Sequence, residues 1–400
     1  MKQDQRGKLL LFRLIVVMLS VGTALVIAEL LVRILLPASA WQFRDATADW
    51  QLDSQLGWVQ KPNLDDTSPN TLGEYGWTVH FQTNADGLTP YTAQRTKRPG
   101  VTRVMIFGDS TVVGRAVPQE KTIHVWLQKL LRSNVVDTEV INAGVQGYST
   151  DQVLLRIQQL VPLYRPDVIV YALCSNDFGG NVSREAYGAP KPVFVLNGNG
   201  TLEEFPPDLT KRDGIPSFGS GPRAWIQHSA LYRFFHPQIT GLRAKLLGWS
   251  ERNLLGMAPD IYYRPEAMEE INWLLFVALL KEMNVFSRGN GAKFFFYAHP
   301  GLEEVWNPYI GETEHQLHLK PGQYDRYALE KRLRQSAKSA SVLFCPMIDY
   351  FLANQQRGPF HLLPRDPHAN PAGYQLQAEV LAKCMLDVGL LAERVGHTNS

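Results

Sequence analysis

Short runs of uninterrupted apolar residues, each separated from the next by a stretch of helical spacing, constrain the fold of this chain more than any other feature. Val104-Met-Ile-Phe107 ends at Gly108, a second run reaches Ala143, and Val168-Ile-Val-Tyr-Ala-Leu173 reaches Cys174. Strands that are apolar on both faces belong in a sheet covered on both sides, and helices over residues 120–133 and 150–163 supply that cover. The pattern resumes downstream. An amphipathic segment from Pro265 to Arg288 precedes the Phe-rich strand Ala292 to Ala298, and a helix from Tyr324 to Ser339 precedes a strand from Ser341 to Cys345. The expected fold is α/β: a flavodoxin-like three-layer sandwich around a central parallel sheet of about five strands.

The first three strands end in groups suited to chemistry, and open parallel sheets gather their sites at the carboxyl ends of strands. They are Gly108-Asp-Ser110, Asn142-Ala-Gly144 and Ser175-Asn176-Asp177. A serine hydroxyl is a weak nucleophile at neutral pH and needs a histidine to take its proton and a carboxylate to orient that histidine. Asp366-Pro-His368, just before a C-terminal helix, offers both. The residue before a proline is extended, so Asp366 and His368, two apart, face the same way. Asn370 and Pro371 suit the N-cap and first turn of the last helix. A helix N-terminus disfavours an imidazolium, which makes a carboxylate beside His368 the more necessary. The backbone N–H groups of Ser110 and Gly144 and the side chain of Asn176 are the candidate donors to an oxyanion.

In this order, Gly-Asp-Ser, Asn-Ala-Gly, Ser-Asn-Asp and Asp-Pro-His-Ala-Asn-Pro-Ala-Gly resemble the blocks of the SGNH (GDSL) hydrolase family, over roughly residues 100–390. The resemblance implies Ser110 as nucleophile, Gly144 and Asn176 as oxyanion donors beside the Ser110 N–H, His368 as base and Asp366 as acid. It also implies hydrolysis of ester bonds, O-acyl esters foremost, through an acyl-enzyme, with no cofactor and no metal. The commoner family spacing puts the acid three residues before the histidine, where this chain has Arg365. The shorter Asp-x-His block looks like that of branches resembling polysaccharide O-acetyltransferases. Three readings stay open: an esterase; an O-acyltransferase modifying surface polysaccharide or peptidoglycan; and a catalytically degenerate glycan-binding protein in a polysaccharide-assembly complex. The partners implied are an acylated small molecule, glycan or lipid. The loop Gly108 to Gly114 lacks the lysine and the glycine pattern of nucleotide-binding loops.

Residues 9–36 are strongly apolar, interrupted by Arg13, Glu29 and Arg33, and long enough at helical rise to cross a bilayer. Lys2, Arg6, Lys8 and Arg13 place the N-terminus (1–8) in the cytoplasm and the rest of the chain outside, in the periplasm of a Gram-negative cell. Ala38-Ser-Ala40 offers a peptidase site, but a run reaching Leu36 exceeds a usual signal core, so an uncleaved transmembrane anchor is expected. Net charge is +2 with no long basic tract, which argues against nucleic acid. Residues 41–100 read as a small β-rich collar ahead of the hydrolase-like domain, 101–390. Residues 178–265, rich in Gly, Pro and aromatics, read as an insertion forming a lid or binding wall. Within it, His228 to Trp249 is expected to pack on the core rather than on a membrane surface. Cys174, Cys345 and Cys384 read as core residues, with a Cys345–Cys384 disulfide an alternative in an exported protein. His315 and His318 share a helical face as surface residues, and His361 is a candidate substrate contact.

Overall fold

Five strands form one parallel sheet: β1 (Thr102–Gly108), β2 (Thr138–Asn142), β3 (Val168–Leu173), β4 (Lys293–Ala298) and β5 (Leu343–Phe344). Their order is β5-β4-β3-β1-β2, the flavodoxin-like arrangement expected of the sequence. The computed structural model describes residues 2–35, 49–69, 78–90, 92–134, 137–187, 189–210, 229–232, 260–362 and 368–391. The chain divides into two units, Met1–Arg44 with Ser217–Glu251, and Asp45–Pro216 with Arg252–Ser400.

In the second unit, successive strand residues point to opposite faces, which gives the sheet two cores. Val104, Ile106, Val168, Val170, Phe295 and Tyr297 face α3 (Ile123–Asn134) and α7 (Pro371–Asp387). Met105, Phe107, Ile169, Tyr171, Phe294 and Phe296 face α4 (Thr150–Tyr164), α5 (Glu270–Gly289) and α6 (Ala328–Ala340). Each fully buried side chain of this size contributes about 1.5–3 kcal/mol relative to exposure. Ser149 and Gln152 form a capping box that starts α4, and Asn370 caps α7 with Pro371 in its first turn.

The stretch read as a collar holds two antiparallel hairpins, Trp50–Asp53 with Gly57–Gln60 and Asp65–Pro69 with Thr78–Gln82. The first belongs to the same core as α4: Trp58 is fully buried, and Tyr148 Oη donates to Trp58 O at 2.6 Å. The insertion begins with two more hairpins, Glu185–Ala186 with Ala189–Pro190 and Val193–Leu196 with Leu202–Phe205.

In the first unit, α1 (Lys2–Leu35) contains a 24-residue apolar stretch, Phe12–Leu35, long and apolar enough to cross a membrane and almost wholly unburied. Ser229–Tyr232, expected to pack on the sheet core, clusters with this helix instead, because Glu29 supplies acceptors for its backbone; the remainder of His228 to Trp249 lies outside the described residues. His315 and His318 share no helical face: the helix ends at Gln316, and His318 sits at φ 55°. All three cysteines are free thiols, Cys174 and Cys345 buried and Cys384 half-buried.

Candidate active site

β1 stops where only glycine fits. A Cβ on Gly108 would lie 2.6 Å from Val112 Cγ2 and 2.8 Å from Ala172 O, so its absence lets β1, β3 and the turn α2 (Ser110–Val113) meet closely. Asp109 caps that turn: its Oδ1 accepts from Thr111 N at 2.8 Å and from Thr111 Oγ1 at 2.7 Å. Thr111, 2% exposed, is therefore held by the Asp109 cap. Gly114 at φ 69° closes the turn. Ser110 is left at the carboxyl edge of the sheet, next to the seam where strand order reverses.

His368 reaches it across 258 residues of sequence, with Nε2 2.7 Å from Ser110 Oγ. With its proton on Nδ1, the neutral ring accepts the serine proton at Nε2, as a general base must. The chain around His368 is pinned by its backbone. Leu362 N donates to His368 O at 2.9 Å, and His361 bridges Ala369. Asn370 Nδ2 donates to Pro359 O at 2.6 Å and to His361 O at 3.2 Å, while its Oδ1 accepts from Gly373 N. A Cβ on Gly373 would lie 2.0 Å from Phe360 O, so the start of α7 sits directly on the strand-like segment before it. His361 is not exposed to a substrate: it is 1% exposed, with Nε2 2.9 Å from Pro300 O and its ring edge-on to His299. Asp366 lies outside the described residues.

The expected oxyanion donors differ in how they are engaged. Gly144 N donates to Asn142 Oδ1 at 3.0 Å, and Asn142 Nδ2 donates to Val112 O at 2.6 Å. A Cβ on Gly144 would lie 2.8 Å from Val112 Cβ, so this glycine answers to packing against α2. Three residues on, Gly147 has φ +79°, and its N–H makes no hydrogen bond among the described residues. The ring of Tyr187 covers it, 2.5 Å from where a Cβ would stand. Sequence reading passed over Gly147; its signal was a second glycine, in Gly144-Val-Gln-Gly147, before the helix cap. Asn176 directly follows β3 through Ser175, and its amide is uncommitted, with Oδ1 buried and without a partner.

A buried polar network underlies the Asn176 turn. Tyr171 Oη bonds Asp177 and lies 2.9 Å from Thr150 Oγ1. Burial, then repulsion from Asp109, pushes the Asp177 carboxyl well above the usual range. Tyr171 Oη donates to that carboxylate, which lowers its pKa but is outweighed by burial. Asp151 and Lys191 form an ion pair at 2.5 Å with both side chains fully buried. Lys191 Nζ also donates to Gly180 O and Pro192 O at 2.9 Å and to Ser183 O at 3.3 Å. Burial pushes Asp151 up and Lys191 down, and their mutual attraction opposes both shifts. The network clamps the first hairpin of the insertion to α4 and to the turn that carries Asn176.

Residues 106–249 match the model of the GDSL-like lipase/acylhydrolase family. An arylesterase of Vibrio mimicus is 32% identical over 75 residues, which is 19% of this chain and 38% of the relative; the chain thus spans well under half of that protein. Among solved structures, TesA aligns over 72% of this chain and all of its own at 15% identity, with a TM-score of 0.37. A catalytic mutant of Axe2, an acetylxylan esterase from Geobacillus stearothermophilus, aligns over 71% of this chain and 94% of its own at 12% identity, TM-score 0.36.

Proposed function

We propose that this protein is a membrane-anchored serine esterase that cleaves O-acyl esters outside the cytoplasm. The observation that carries the reading is the 2.7 Å approach of His368 Nε2 to Ser110 Oγ. As Oγ attacks the ester carbonyl, its proton passes to His368, and the carbonyl oxygen becomes an oxyanion. Ser110 N–H and the Asn176 amide hold that oxyanion, and Gly147 N–H is the third donor in place of Gly144, whose N–H is engaged by Asn142. Collapse expels the alcohol, which takes the proton from His368. Water then attacks the acyl-enzyme, gives its proton to the same nitrogen, and releases the acid and the free serine. Asp366 orients His368 in this scheme. A sugar hydroxyl would attack the same acyl-enzyme, so hydrolysis and O-acyl transfer share every step up to the second half-reaction.

In this reading residues 1–8 are cytoplasmic, 9–36 span the bilayer uncleaved, the β-rich collar 41–100 follows, and 101–390 act at the outer membrane face on acylated glycan, lipid or small molecules. The basic residues before the span support that orientation. The test is fluorophosphonate labelling of the full-length protein in detergent, read by intact mass. One adduct is expected, absent from Ser110→Ala and strongly slowed in His368→Ala. An adduct that persists in Ser110→Ala would overturn the assignment.

A further inference from the structure

The N-terminal helix carries a carboxylate inside its apolar stretch, and the structure shows what that carboxylate holds. Glu29 lies six residues before Leu35, about 9 Å along the axis at helical rise. Its Oε1 accepts from Ala230 N at 2.8 Å and its Oε2 from Leu231 N at 2.8 Å and Ser229 Oγ at 2.7 Å. Arg33, one turn on, adds a cation on the exposed side at 2.6 Å. Ser229 Oγ in turn accepts from Tyr232 N at 3.1 Å. The first three N–H groups of the helical turn 230–232 are thus all satisfied, two by Glu29 and one by Ser229.

A helix start in water needs no such provision, because water satisfies the orphan amides. In hydrocarbon it is required, since each unpaired N–H there is costly. The same logic applies to Glu29, because a carboxylate in a membrane span survives by facing protein donors. The apolar residues around it are open: Val26, Ile27, Leu30 and Leu31 are each about half exposed or more, although Ala230 is fully buried. A largely open apolar helix whose Glu29 bonds a second segment 200 residues away is the pattern of a helix in lipid with a docked partner stretch of chain.

We infer that Ser229–Tyr232 is a second membrane-embedded element, docked on the N-terminal helix through Glu29 at the depth of the outer leaflet, and that the helix is retained as a structural partner and not removed as a leader. This inference rests on the reading of α1 as a membrane span. It assigns Glu29 a docking role and makes the lipid bilayer the surface that Ser229–Tyr232 fits.

The experiment uses the full-length chain with Cys174, Cys345 and Cys384 replaced by alanine and Tyr232→Cys introduced, reconstituted in phosphatidylcholine–phosphatidylglycerol vesicles. A membrane-impermeant maleimide is expected to label Tyr232→Cys at least about tenfold more slowly than the same protein unfolded in dodecyl sulfate, the protection expected of a site withdrawn from water. Glu29→Ala should remove most of that protection, and Glu29→Gln, which keeps one acceptor and adds a donor, should remove only part. Intact mass of protein recovered from membranes should include residues 1–40. Loss of residues 1–40 would overturn both the span and the docking. A retained helix with Tyr232→Cys labelled at the unfolded rate would overturn the docking and leave the span standing. Protection unchanged in Glu29→Ala would overturn the role given to Glu29.

Discussion

The two described parts of the insertion after β3 are held by opposite electrostatic arrangements. In the first hairpin, Lys191 meets the full charge of Asp151 with both side chains wholly buried, and its other protons go to backbone carbonyls. At Ser229–Tyr232, the Glu29 carboxylate is met mainly by neutral N–H and O–H dipoles, with a cation only on its open side. A buried charge opposite a buried charge is intolerant: removing either partner strands the other. A carboxylate held by amide dipoles can be replaced by another acceptor at smaller cost. One continuous insertion therefore serves two units, its head built rigidly into the floor of the candidate active site and its later part held to the N-terminal helix.

The sharpest way to break this comparison is Lys191→Met. It should destabilise the second unit by about 3–5 kcal/mol, a fall in melting temperature of about 10 °C by thermal denaturation. Asp151→Leu combined with it should restore much of the loss; if it restores none, the pair is not what fixes the hairpin. Next in size is Asn176→Ala, expected to lower kcat by about 10²–10³ with little change in KM. A raised KM at unchanged kcat would make Asn176 a ground-state contact instead.

Asp177→Asn sharpens the comparison through pH. The native carboxyl pKa lies above its unfolded value, so the folded state binds more protons between the two. The stability contributed by that proton is complete below about pH 4, the unfolded value, and is lost as pH rises toward the native pKa. The asparagine variant should therefore gain melting temperature relative to wild type as pH is raised from about 4 to 8, near and well above that unfolded value. Parallel curves would mean that Asp177 ionises normally. The smallest effect is predicted for Glu29→Ala on turnover of a short soluble ester in detergent: none. A large fall would tie the docked turn to catalysis itself.

Much of this was legible beforehand, for physical reasons. Strands buried on both faces must be continuously apolar, so β1 to β4 announced themselves, and the strand order followed from short right-handed connections. Ser110 and His368 stood out because each has a local signal, Gly108 before the turn and Asn370-Pro371 after the histidine, and the structure brings the two side chains together. What was not legible was contact at long separation without a local pattern: Lys191 with Asp151 across 40 residues, and Glu29 with Ala230 across 201. Gly144 drew attention because it ends an apolar run, yet its N–H is taken by Asn142, and the glycine with left-handed backbone is Gly147. His361 was singled out by proximity in sequence, and burial set it beneath the loop instead.

The division of the chain gives the N-terminal unit two pieces, Met1–Arg44 and Ser217–Glu251, so the polypeptide passes between units at 44/45, 216/217 and 251/252. A single cut between residues 36 and 48 leaves Ser229–Tyr232 joined to the second unit by the chain and to the N-terminal helix by the bonds to Glu29, so, on the reading of that helix as a membrane span, release takes a second event: another cut, or loss of those bonds.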